Sequence, residues 1–118
     1  MSFFNAELKT LFTGFKVNKK SIDTAYLFYE GHNNTYIVYG QSDTGNSYSA
    51  DDNIAGVVAY YDFDIYSDGN FTAIETALRD LLQANGWTWQ PNRDSPDLYE
   101  KDTGLYHKTC CYAKPLQF

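Results

Sequence analysis

The sequence predicts an α+β fold: a single antiparallel or mixed sheet backed by two helices, in the order α-β-β-(long loop)-β-α-β-β. Three observations predict it. Residues 57–66 (VVAYYDFDIY) alternate with period two, so Val57, Ala59, Tyr61, Phe63 and Ile65 share one apolar face. Phe71, Ile74, Leu78, Leu81 and Leu82 recur at helical spacing. Ser67-Asp68-Gly69-Asn70 joins the two runs with turn chemistry, and Asn70 or Asp68 can cap the helix. Burying those five helical side chains contributes about 1.5–3 kcal/mol each, which makes this strand–helix pair the expected structural centre. Asn85-Gly86 ends the helix, because glycine accepts a left-handed conformation.

The remaining elements follow in order. Residues 1–15 read as a helix with Phe4, Leu8, Leu11, Phe12 and Phe15 on one side and Ser2 or Asn5 as cap. Lys16-Val17-Asn18-Lys19-Lys20 reads as a basic connector. Residues 25–29 (AYLFY) and 35–40 (TYIVYG) are two β-rich runs around Gly31-His32-Asn33-Asn34, a hairpin signal. Residues 41–53 (QSDTGNSYSADDN) show no periodicity. A loop of about a dozen residues is uncommon in a compact domain unless it is functional, and it is expected to project as a hairpin arm or flap. Gly56 marks a bend or bulge. Trp87-Thr88-Trp89 starts a strand, residues 91–97 form a loop, and Asp102-Thr103-Gly104 turns into a last strand over 105–113 that Pro115 ends. Both helical faces are expected on one side of the sheet.

A chain of 118 residues with 43% hydrophobic and 18% aromatic residues fits one domain, 1–118, with one core. The net charge is −6, yet residues 1–20 set four lysines against one glutamate, and Asp43 to Asp68 holds six aspartates without a lysine or arginine. That balance argues against a nucleic-acid grip, which needs a basic face. Adjacent Cys110 and Cys111 point to opposite strand faces and read as reduced thiols of a cytoplasmic chain. No signal peptide and no membrane span are evident.

Catalytic signatures are missing: there is no G-x-G pair and no nucleophile elbow. His32 and His107 are the only histidines, so a histidine-rich metal site is excluded. Spacing leaves open a mixed site from His107, Cys110 or Cys111 and a carboxylate, with His107 and Cys111 on one strand face, against the reading of a structural thiol and a surface or hydrogen-bonded histidine. Asp62 and Asp64 share a face and could bind a cation or act as an acid–base pair, but no sequence neighbour supplies a further ligand, which favours a solvated or intersubunit strand face. Asp51-Asp52 form a second pair. Asp94, Asp97, Glu100 and Asp102 read as loop solubilisers with Arg93 and Lys101 as local partners. No cofactor or metal is expected.

One resemblance stands out. Tyr36-Ile37-Val38-Tyr39 is followed by a loop ending Ser49-Ala50-Asp51-Asp52-Asn53. Then come Tyr61-Asp62-Phe63-Asp64-Ile65-Tyr66, a helix ending Asn85-Gly86-Trp87, and residues 102–108 (DTGLYHK). From about residue 24 the chain resembles the tail-completion, or tail terminator, proteins of long-tailed phages and prophages of Gram-positive bacteria. The resemblance implies an α+β subunit of a hexameric ring. Such a ring sits on the head-proximal end of the tail tube, ends tube polymerisation and offers the head-joining surface. Its implied partners are further copies of itself, the tube protein and a head-completion or connector protein. DNA would cross the lumen without specific binding, and no membrane is involved. The implied location is the virion tail, after assembly in the host cytoplasm. Expected interface residues are Asp43, Tyr48, Asp51, Asp52, Asn53, Asp62 and Asp64. Competing readings are another neck component, a small protein-binding module, or a small enzyme or metal protein using Asp62, Asp64, His107 and Cys111.

Overall fold

Alternation along residues 57–67 marks the central strand, and the rest of the molecule is arranged around it. The computed structural model describes residues 3–48 and 54–117. The elements are α1 (Asn5–Leu11), β1 (Lys16–Val17), β2 (Lys20–Ser21), β3 (Asp23–Tyr26), β4 (Tyr36–Tyr48), β5 (Ile54–Ser67), α2 (Thr72–Ala84), β6 (Thr88–Trp89), β7 (Leu98–Glu100) and β8 (Leu105–Gln117), with a 3-10 turn at Pro91–Arg93. The main sheet runs β3-β4-β5-β8-β6, and β7 also pairs with β8. It is mixed: β3 is parallel to β4, and every other pairing is antiparallel.

The predicted core is present. Ala59, Tyr61, Phe63 and Ile65 of β5 are fully buried against Leu8 and Phe12 from the α1 region and Ile74, Leu78 and Leu82 of α2, so both helices cover one side of the sheet. Asn70 Oδ1 accepts the Thr72 N–H at 2.9 Å at the start of α2. The helix ends as expected: Gly86 sits at φ +87°, and the Trp87 and Gly86 N–H groups reach back to the Leu82 and Gln83 carbonyls. Lys114 then ties α1 to the end of α2, donating to Glu7 Oε1 at 2.6 Å and to the Asn85 carbonyl at 2.8 Å.

Several expectations are corrected. The first helix is only Asn5–Leu11. Beyond it the chain turns through Gly14 at φ +72°, because Phe15 must pair with Ile22. No side chain caps α1. Instead the buried Tyr61 hydroxyl accepts the Phe4 N–H and donates to Asn5 Oδ1, each at 2.9 Å. Ser2 lies outside the described residues.

The basic connector is a small hairpin, β1–β2, whose two central residues, Asn18 and Lys19, have φ of 52° and 68°. A two-residue turn of this hand favours glycine at its second position. Lys19→Gly is therefore expected to raise the unfolding free energy by about 1 kcal/mol, the cost of holding a side chain in left-handed backbone; chemical denaturation measures it, and no gain would mean that the unfolded-state entropy of glycine cancels the relief.

The pairing of residues 25–29 with 35–40 is not a hairpin. Asp23 lies opposite Tyr36 and Tyr26 opposite Tyr39 in parallel register. After Tyr26 the chain therefore returns along the whole strand. The return is stapled by Asp23, whose Oδ2 accepts the Tyr29 hydroxyl at 2.7 Å and Asn33 Nδ2 at 2.8 Å. Those two bonds, Tyr29 first, lower the Asp23 pKa.

Of the aperiodic stretch 41–53, residues 41–48 are strand rather than loop, paired with 54–61 of β5, and residues 49–53 lie outside the described residues. The register slips between Gln41 and Asp43 and again between Ser47 and Tyr48, opposite Gly56. Glycine is required at 56: a Cβ there would sit 2.3 Å from the Leu116 carbonyl oxygen. Finally, Pro115 does not end β8, which continues to Gln117. Thr109 and Cys111 send their N–H groups away from β5, to Ser95 Oγ and Asp94 Oδ1. By alternation Pro115 lacks its N–H on that same outer side, where β6 pairs only as far as Ala113.

Candidate functional site

The face of β5 turned away from the helices carries Val58, Tyr60, Asp62, Asp64 and Tyr66, and the antiparallel register places side chains of β4 and β8 beside them. Asp62 lies opposite Cys111, Asp64 opposite Thr109 and Tyr66 opposite His107. The register thus brings the two sequence-read pairs, Asp62 with Asp64 and His107 with Cys111, onto one face.

Four rings form a ladder across this face. Tyr29 stacks on Tyr36 at 4.0 Å, Tyr36 on Tyr66 at 4.8 Å, and Tyr66 on His107 at 4.2 Å. His107 is bracketed by two carboxylates, with Nε2 3.4 Å from Asp64 Oδ1 and Nδ1 3.4 Å from Glu100 Oε1. Thr109 Oγ1 donates to the same Asp64 oxygen. Burial, with the charges of Asp64 and Glu100, pushes the Tyr66 hydroxyl up to about 12.

Burial also raises the Asp62 carboxyl, Ser42 and Cys111 hydrogen bonds oppose that, and the Asp64 charge adds to it. A raised carboxyl favours the folded state less once it ionises. Asp62→Asn is expected to be more stable than the parent at pH 7. The difference should shrink as pH falls through the raised pKa and vanish below the ordinary aspartate value of about 4. Thermal unfolding of both proteins from pH 3 to pH 8 checks this, and a variant less stable at pH 7 would mean that the Ser42 and Cys111 bonds outweigh burial.

Asp43 joins this side through Arg93, which pairs with it at 3.2 Å and stacks over the Tyr60 ring at 3.9 Å. The Thr44 N–H and Arg93 lower the Asp43 pKa. Tyr48 lies at the end of β4, while Asp51, Asp52 and Asn53 lie outside the described residues. Of the seven expected interface residues, the structure therefore gathers Asp43, Asp62 and Asp64 on the open face and puts Tyr48 at the arm.

Sequence reasoning missed the fixed carboxylates. Asp94 is no solubiliser: Oδ1 accepts the Cys111 N–H at 2.8 Å and Oδ2 the Trp89 indole at 2.9 Å. Glu100 holds His107, and Arg93 reaches Asp43 fifty positions away rather than a local acid. Only the partial burial of Asp94 and Glu100 separates them from exposed Asp97 and Asp102, and burial is not visible in a polar loop.

What can this arrangement do chemically? Burial pushes both cysteine thiols up to about 12, so neither is a thiolate nucleophile at neutral pH. Among the described residues, Glu75, Asp94 and Cys110 come close enough together to share an ion. Glu75 there is already paired with Lys108 at 3.0 Å and Arg79 at 3.2 Å, and Asp94 is committed to two N–H donors. A cleft of about 420 Å³ at the start of α2 is lined by Asp68, Phe71, Glu75, Asp97, Tyr106 and Lys108, with no nucleophile–base pair. A shallower hollow of about 200 Å³ on the open face is lined by Leu27, Val38, Gly40, Ser42, Asp62 and Asp64. Among the described residues no helix is long and apolar enough to cross a membrane. Neither a protein-family model nor a curated protein matches this sequence.

Proposed function

We propose that the chain is the subunit of a closed ring, hexameric as in the tail-completion proteins it resembles, that caps the head-proximal end of a phage tail tube. In that role it stops tube polymerisation and offers the surface to which the filled head is joined. It acts in the virion tail, with copies of itself, the tube protein and a head-completion protein as partners, and it is not an enzyme.

The observation that carries this reading is the arm. Strands β4, β5 and β8 run on past the helix-covered core, as far as the Tyr48–Ile54 and Gly56–Gln117 pairs, and the molecule measures 52 × 27 × 23 Å. The core cluster reaches along β5 only from Ala59 to Ile65, so the strand ends beyond Ser47 and Gly56 lie outside it. A projecting end of sheet is suited to reaching a neighbouring subunit or the tube. The open face supports the same reading, since Asp43 is paired with Arg93, Asp64 is held by Thr109 and His107, and the Cys111 thiol is protonated. The acidic balance of the chain suits a lumen that DNA crosses without counterion-release binding.

The test is negative-stain imaging of the purified chain mixed with tail tubes. Rings seated on one tube end, with tube length no longer increasing, are expected. Binding along tube walls, or no binding to either end, would contradict the proposal.

A further inference from the structure

Two places on this chain hold a charge at a cost to the lone subunit, and they lie on opposite sides of the sheet. The first is the tip of the β1–β2 hairpin. Lys19 sits there at φ 68°, a left-handed backbone that a lysine side chain disfavours. Val17 of β1 and Ile22 just after β2 belong to the core cluster with both helices, so the hairpin stands on the helix-covered side. Lys19 is exposed and has no ion pair among the described residues. Its neighbour Lys20 lines a polar cleft together with Asp68, and Lys19 does not.

The second place is Asp62 on the open face. It lines the hollow of about 200 Å³ with Leu27, Val38, Gly40, Ser42 and Asp64. Leu27 forms one wall, folded over Gly40: its Cδ2 lies 2.6 Å from where a Cβ there would stand. Asp64 is held by Thr109 and His107. Arg93, whose charge reaches Asp62, is paired with Asp43. Asp62 is left with the Ser42 hydroxyl, which also reaches the Tyr60 carbonyl at 3.3 Å, and the weak donor of the Cys111 thiol. It has no ion pair among the described residues. Burial and the Asp64 charge both disfavour its ionised form.

Glu30, Asp68, Asp80 and Asp102 also lack an ion pair among the described residues, but all four are exposed and water serves them. Asp23 and Asp94 are each held by two N–H or O–H donors. Asp62 therefore gains most from a cation, because an opposite charge is worth more where water is partly excluded.

We propose that in the ring the hairpin tip of one copy enters the open-face hollow of the next, where the Lys19 ammonium pairs with the Asp62 carboxylate and the lysine stem lies along Leu27 and Val38. The proposal rests on the ring reading and adds to it which surfaces meet. The occupant is a second copy because this chain carries both halves, an unpaired lysine on one side and an unpaired, half-buried carboxylate on the other. Tip and hollow differ, so the contact is heterologous and repeats from copy to copy, as a closed ring requires. A lysine stem covers apolar surface while its head keeps the charge. Both costs to the lone subunit are then kept for the assembled state, a trade of stability for function.

The test follows assembly of the intact chain and its charge variants, alone and on tail tubes, by light scattering and negative-stain imaging. Lys19→Gly and Asp62→Asn are both expected to fold more stably than the parent, so a loss of rings is not a loss of folding. Each is expected to raise the concentration of half-assembly about tenfold or more, the scale of losing one partner of a desolvated charge pair. Lys19→Asp and Asp62→Lys each set like charges together and are expected to form no rings alone. A one-to-one mixture of these two restores opposite charges at every contact of an alternating ring, and rings of the parent mass are expected.

Lys19→Gly or Asp62→Asn assembling at the parent concentration would overturn this contact and leave the ring reading intact. A mixture of the reversed variants that stays unassembled, with both folded by circular dichroism, would do the same. If Asp62→Lys does not fold, the two neutral variants decide alone. An intact chain that forms no rings at any concentration, with or without tubes, would remove the ring reading and this contact with it.

Discussion

Phe63→Ala is expected to lower the unfolding free energy by about 3–5 kcal/mol, the usual cost of truncating a buried phenylalanine. Phe63 is fully buried at the middle of β5, and its ring lies 5.7–6.3 Å from those of Tyr112, Trp87, Tyr39, Phe12 and Tyr61. It thus touches both neighbouring strands, the end of α1 and the chain leaving α2, so no single element can collapse into the space left behind. Against a total stability of about 5–15 kcal/mol for a domain, such a loss moves the denaturation midpoint far down or abolishes it. Equilibrium urea unfolding measures the change. A loss below about 1 kcal/mol would show that the aromatic cluster is not the packed centre described above.

The second large effect separates assembly from folding. Replacing residues 48–55 by Asn-Gly closes the arm at the Ser47–Gly56 pair with a two-residue hairpin turn and keeps buried Val57 and its pairing with β8. The change removes Tyr48, Asp51, Asp52 and Asn53 together, while Ala59 to Ile65 and both helices keep their contacts. The shortened chain is expected to unfold cooperatively, with a midpoint within a few degrees of the parent, and to lose capping of tail tubes completely. Circular dichroism melting and tube-length distributions check the two halves. A shortened chain that still caps tubes would show that the arm is dispensable. One that no longer folds would move the arm into the core, against the burial pattern.

Legibility in the sequence tracked how sharply burial divides the two faces of an element. Along β5 the odd positions 57 to 67 are buried and the even ones half-buried, so alternation stood out. In α2 Ile74, Leu78 and Leu82 are buried on one stripe, and the period was equally clear. The arm was only partly legible. Residues 41–47 of β4 are exposed or half-exposed on both faces, so no alternation marks them, and their strand conformation is imposed by pairing with β5. The parallel pairing of β3 was hidden for a different reason: a Gly-Asn linker signals a hairpin, and the turnover depends on the side-chain bonds that Asp23 makes to Tyr29 and Asn33. Pro115 misled because its effect depends on which side of β8 lacks a neighbour. On the open face, the Asp62–Asp64 pair could be read from period two. The bracket of Asp64 and Glu100 around His107 could not, since Glu100 arrives from a strand of three residues on the far side of β8.

The most direct measurement of the assembly account is the mass and shape of the particle that the intact chain forms at rising concentration, by light scattering followed by negative-stain imaging, alone and on tail tubes. The account predicts closed particles of six 13.5 kDa chains around a central opening, seated at one end of the tube. A chain that remains a 13.5 kDa monomer up to millimolar concentration, and that leaves tube ends bare and still growing, would contradict it.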